Sequence, residues 1–161
     1  MGKRLELTEA ELRTIPGSRT KKTVSQLKGM VAGLLTELDL DYALVKKNGA
    51  DMVMIEMQLA TEDVEVKRVV HIKLEVPEIY QKMKRKGPKP LPAAGWRFFY
   101  DYLKSRLASV QLGITDLVEE FTANIVMQLP DGSSTTIGEV VRQEAVKPGS
   151  NMLPFIMEAE Q

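Results

Sequence analysis

The tightest constraint on this chain is the tetrapeptide Lys47-Asn48-Gly49-Ala50, placed where the hydrophobic period drops from helical to two. Asn-Gly between alternating segments calls for a two-residue hairpin, because both turn positions take a positive φ that these two residues tolerate. The strands it joins are predicted over 42–47 and about 51–60. In the second, Val53, Ile55, Met57 and Leu59 share one face, opposite Met52, Met54, Glu56 and Gln58. A third strand over 64–76 sets Val64, Val66, Val70, Ile72, Leu74 and Val76 against Glu65, Lys67, Val69, His71, Lys73 and Glu75. A sheet with one apolar side needs a cover, and two helices are available for it.

The first opens on Thr23 and Gln26, a pair that satisfies two orphan backbone N–H groups at a helix start. It runs over 24–38, with Val24, Leu27, Val31, Leu34, Leu35 and Leu38 on one stripe. The second is a long helix over 93–112, carrying Trp96, Phe99, Tyr100, Leu103, Leu107 and Val110 and closed by Gly113. Thr115 is expected to cap a short helix over 116–121. A small hairpin, 125–129 with 135–137, and one more helical turn over 138–144 complete the pattern. The expected fold is α+β: a small antiparallel sheet of about three strands packed against an N-terminal helix and a long central helix, with a short C-terminal hairpin. At 161 residues and 43% hydrophobic the chain has material for one such domain, expected over 23–144. Residues 1–22 read as a flexible arm with a short helical turn near Thr8–Leu12. Residues 77–92, with four prolines, read as a mobile basic loop, and 145–161 as an irregular tail.

Composition removes several function classes. The chain has no cysteine and a single histidine, His71, so disulfide scaffolds, zinc fingers, iron–sulfur clusters and thiol catalysis are excluded. No Gly-rich phosphate loop and no G-x-S-x-G elbow occurs, and no cofactor is expected. The charged opening Met1–Glu6 and the lack of a long apolar run point to a soluble, cytoplasmic protein with no membrane association.

The 22 basic and 22 acidic side chains balance overall but are unevenly spread. Between Glu78 and Arg106 eight positive residues face two negative ones, a net +6, whereas 116–161 carries a net −6. Lys82, Lys84, Arg85, Lys86, Lys89 and Arg97 form a basic run leading into an aromatic helix with Trp96, Phe98, Phe99, Tyr100 and Tyr102. Such a run is suited to phosphate contacts, with an exposed ring stacking on bases. The opposite ends also suit head-to-tail association into a homo-oligomer.

Two other constellations bear on chemistry. Asp51, Glu65 and Lys67 have the D…E-x-K order in which two carboxylates on neighbouring strands hold a divalent metal ion. His71 stands on a polar strand face without a nucleophile to serve, and is read as a surface or interface residue. Met52 and Met54, on the sheet face away from Val53 and Ile55, make an adaptable contact surface for a second copy or another protein.

The segment Trp96-Arg97-Phe98-Phe99-Tyr100-Asp101, followed by Gly113-Ile114-Thr115, Glu119-Glu120-Phe121 and Leu129-Pro130-Asp131-Gly132…Thr136-Ile137-Gly138-Glu139, resembles a family of small uncharacterised bacterial and prophage-encoded proteins. That family shows a W-R helix, a G-I-x-T turn, an E-E-F segment and a P-D-G-x-T-x-G-E end. The resemblance spans about 93–141, and extends more loosely to the 48–50 turn and the 68–76 strand. The chain departs from it in running Ile114 directly into Thr115 and in its long N-terminal arm. It implies a phage or mobile-element accessory protein and carries over no catalytic residue. The leading expectation is a non-enzymatic, oligomeric protein that binds single- or double-stranded DNA. A protein–protein assembly module is the alternative, and a metal-dependent nuclease the third.

Overall fold

The hairpin at Asn48-Gly49 organises the molecule. The computed structural model describes residues 4–59 and 68–147. Strands β2 (Asp41–Lys47) and β3 (Ala50–Leu59) pair antiparallel from Lys47↔Ala50 to Asp41↔Glu56. Asn48 and Gly49 hold φ of 52° and 84°, the left-handed values a two-residue turn requires. Strand β4 (Arg68–Glu75) adds antiparallel to the far side of β3, so the order is β2-β3-β4. The earlier part of the expected third strand, 64–67, lies outside the described residues.

Alternation decides which side of this sheet is covered. Val53, Ile55, Ile72 and Leu74 are buried on its inner face beneath α2 (Val24–Glu37) and α3 (Pro92–Gln111). The start of α2 is closed reciprocally: Gln26 N–H donates to Thr23 Oγ1 at 3.2 Å and Thr23 N–H to Gln26 Oε1 at 2.9 Å. Leu27, Val31 and Leu35 of α2 meet Trp96, Phe99, Leu103 and Leu107 of α3 in one core. Helix α4 (Leu117–Phe121) adds Leu117 and Phe121 to it. Its N-cap is Asp116 and not Thr115. The Asp116 carboxylate accepts from Glu119 N–H at 2.8 Å, and its charge favours the helix N-terminus. A 3-10 turn over Thr122–Asn124 leads into the hairpin β7 (Val126–Gln128)–β8 (Ser134–Thr136), and α5 (Ile137–Ala145) closes the described chain.

The segments expected as a flexible arm and a mobile basic loop both contribute strands to a second sheet. Strand β1 (Arg4–Leu7) pairs in parallel with β5 (Glu78–Gln81), and β6 (Lys89–Pro90) pairs antiparallel with β5. Helix α1 (Glu9–Thr14) starts on Thr8, near the expected helical turn. Leu12, Ile79 and Ala94 are buried in a small separate core bordered by Leu5, Leu7, Leu91 and Phe98. The strands are four residues long and their partners lie 74 positions apart, so no local pattern announces them. The prolines sit where strands and helices accept them: Pro90 on an edge strand and Pro92 in the first turn of α3. Gly95 brings α3 against the chain leaving β4, since a Cβ there would lie 2.2 Å from the Pro77 carbonyl oxygen.

The two edges of the main sheet differ. On the β4 side, Ile72 bridges to Ile125 and the Asn124 side-chain amide donates to the Lys73 carbonyl at 3.2 Å. On the β2 side no described strand pairs.

Candidate nucleic-acid interface

The basic run is the tip of the β5–β6 hairpin. Its stem is fixed on both sides: Lys82 N–H donates to the Leu7 carbonyl at 2.7 Å, and Leu91 N–H to the Ile79 carbonyl at 2.7 Å. Parallel pairing with β1 and the buried Ile79 therefore anchor a loop whose residues Lys82–Pro88 are all exposed. Lys82, Lys84, Arg85, Lys86 and Lys89 project from this tip, and no acidic residue occurs from Lys82 through Trp96. Among the described residues, none of Lys84, Arg85, Lys86 and Lys89 has an ion-pair partner. Lys82 lies near the carboxylate of Glu11. That carboxyl is held below its usual range chiefly by the Thr8 backbone N–H and then by the Thr8 hydroxyl, with a smaller contribution from Lys82.

The base of the hairpin is neutralised locally. Glu9 accepts from the Gln81 side-chain amide at 2.6 Å and pairs with Arg19 and with Arg13. Arg4 lies over the Tyr80 ring, 4.3 Å from its centroid, and pairs with Glu6 at 2.8 Å.

Arg97, the sixth residue of the expected basic set, is differently placed. Its Nε donates to Asp101 at 2.9 Å, one turn along α3, and its guanidinium lies 5.7 Å from the Tyr100 ring centroid. The turn at Gly17 presses on its stem, since a Cβ there would come within 2.7 Å of Arg97 Cγ. The aromatics of α3 are also engaged. Trp96 and Phe99 are 1% and 3% exposed and meet edge to face, 5.8 Å between centroids. Tyr102 is exposed but carries Arg106 over its ring at 5.4 Å. The stacking ring expected beside the basic run is therefore not among Trp96 and Phe99; they belong to the core.

The remaining candidates fall on the hairpin and the outer sheet face, or outside the described residues. Asp51 accepts a hydrogen bond from Trp96 Nε1 at 3.0 Å, a partnership that joins the hairpin to the start of α3. Glu65 and Lys67, its expected companions, lie outside the described residues. Among the described residues no three His, Asp or Glu side chains cluster in a way that could hold a metal ion. His71 is exposed on the outer sheet face, opposite Glu56. Met52 on that face is only 6% exposed, while Met54 is half-buried.

Several polar side chains between Arg106 and Glu139 serve the fold. Glu120 accepts from Arg106 at 2.5 Å and from the Thr115 hydroxyl at 2.9 Å; the Arg106 bond, first, and then Thr115 hold its carboxyl below the usual range. Asp131 accepts from the Ser133 hydroxyl and backbone N–H within the β7–β8 turn, and both lower its pKa. Glu139 closes the start of α5 against Thr136 N–H at 3.0 Å. Gly138 packs on the 3-10 turn, where a Cβ would lie 2.8 Å from the Ala123 carbonyl oxygen. No helix among the described residues is long and apolar enough to cross a membrane. No protein-family model, curated protein or solved structure matches the chain.

Proposed function

We propose that this chain is a non-enzymatic accessory protein that binds the sugar–phosphate backbone of nucleic acid through the β5–β6 tip, a role in keeping with the phage-type resemblance. The observation that carries the reading is a run of cations, Lys84, Arg85, Lys86 and Lys89, exposed and without ion-pair partners among the described residues, on a stem anchored by β1. Lysine and arginine on a projecting loop gain affinity by releasing counterions condensed on phosphates. Trp96 and Phe99, committed to the core, offer no ring to bases, and phosphate contacts carry no sequence information, so the binding is sequence-tolerant.

The test is fluorescence anisotropy with labelled single- and double-stranded DNA across a salt series. Five tip cations set a slope of log affinity against log salt of up to about −4.5 per tip on duplex DNA, and K84A/R85A/K86A lowers its magnitude by about 2.7. No binding at low salt, or a triple variant with undiminished affinity, sinks the reading. The comparison of the two DNA forms assigns the preferred substrate.

A further inference from the structure

Strand β2 is exposed along its whole length, and Tyr42, Leu44 and Val45, at 36%, 40% and 39% exposure, bring apolar side chains to both of its faces. Its backbone polarity is set by the turn. In a two-residue hairpin the flanking residues, here Lys47 and Ala50, exchange both hydrogen bonds, so Lys47, Val45, Ala43 and Asp41 bond to β3. The Asp51 carbonyl confirms this parity, since it accepts from Val76 N–H on the β4 side and so points away from Lys46. Tyr42, Leu44 and Lys46 therefore aim their N–H and C=O groups at the open edge.

We propose that β2 is a homodimerisation edge, pairing antiparallel with β2 of a second copy about a two-fold axis at Leu44 to make one continuous six-stranded sheet. This register pairs every residue of the strand, and it matches the hydrogen-bonding parity: Tyr42 with the partner's Lys46 and Leu44 with the partner's Leu44 exchange backbone bonds. The pairs between them, Ala43 with the partner's Val45 and Asp41 with the partner's Lys47, are the closely spaced kind. Opposite charges thus meet at both ends, and each Lys46 ammonium faces a tyrosine. The charge match has a second support within the subunit. Asp41 stands directly across from Glu56, a like-charge pair that a partner's Lys47 compensates. An unprotected edge of this length is otherwise a hazard, and the other edge of the same sheet is already closed by Ile125 and Asn124.

The experiment is sedimentation equilibrium of the full chain over a wide concentration range, with circular dichroism on each variant. The native protein reads as a monomer–dimer equilibrium. L44P removes an outward-facing N–H, which an edge strand tolerates, together with a side chain that is 40% exposed, and reads as monomer. D41K relieves the clash with Glu56 inside the subunit yet sets two lysines against each other across the axis. It and K47D each weaken dimerisation by at least about tenfold in Kd, and D41K/K47D restores it. If L44P fails to fold, the charge-swap series decides alone. A chain that stays monomeric overturns the proposal, as does a dimer indifferent to D41K and K47D, which would lie on another surface such as the Met54 face. Amides of Tyr42, Leu44 and Lys46 protected from hydrogen exchange in a monomer would mean that another segment of the same chain covers the edge, and that too overturns it. Because none of these variants touches the β5–β6 tip, failure here leaves the nucleic-acid reading standing.

Discussion

At residue scale, Asp51 shows how one side chain serves packing where chemistry was a competing reading. It follows the Asn48-Gly49 turn on the inner face of the sheet, where it receives the indole N–H of Trp96, the chain's one tryptophan. Trp96 is 1% exposed, so deleting its acceptor strands a buried donor. Asp51→Ala is expected to cost about 1–3 kcal/mol and Asp51→Asn, which keeps an acceptor, about half as much. Chemical denaturation followed by Trp96 fluorescence reads both, and equal stability in Asp51→Ala and the native chain refutes the bond's role. The apolar alternation around Asp51 was legible from the residues alone. Its partner was not, because a carboxylate near a turn carries no mark of which helix will reach it.

At the scale of elements, the fold is held by pairs that join neighbours in the chain and by one, β1 with β5, that joins the N-terminal segment to the middle of the chain. Arg106 of α3 and Glu120 of α4 are fourteen residues apart, and the Glu120 side chain is 6% exposed. The Arg106 hydrogen bond depresses the folded-state pKa of Glu120 below that of the unfolded chain. The stability it brings is thus fully present above the unfolded carboxylate value, near pH 4.3, and is lost as pH falls through the folded value. Glu120→Gln is expected to lower the melting temperature at pH 7 and to narrow its difference from the native protein in acid. Melting curves from pH 7 to about 3 check this, and a gap that stays constant with pH would contradict it. The helices α2 and α3 and the β2–β3 hairpin were readable to within a residue or two, because caps, apolar stripes and turn residues act locally. The β1–β5 pairing escaped that reading. Two four-residue strands gain their stability from each other and from Leu12, Ile79 and Ala94, far apart in sequence.

At the scale of the whole molecule, the proposed β2 dimer and the proposed phosphate-binding tip bear on each other. A dimer carries two tips, and where both engage one nucleic acid the phosphate contacts double. The salt slope of L44P is then expected to be roughly half that of the native dimer on a long duplex, and equal slopes would mean that each tip binds alone. The amino-acid sequence by itself determined the α+β class, the hairpin, both covering helices and the location of the cations. Each of these rests on spacing, turn chemistry or charge within a few residues. Only the tertiary structure decided that the arm and the Pro-rich segment form a sheet, that Trp96 and Phe99 are core, and that no described strand pairs with the outer side of β2. Those outcomes depend on which distant surfaces are buried together, and burial is a property of the assembled chain, not of any stretch of it.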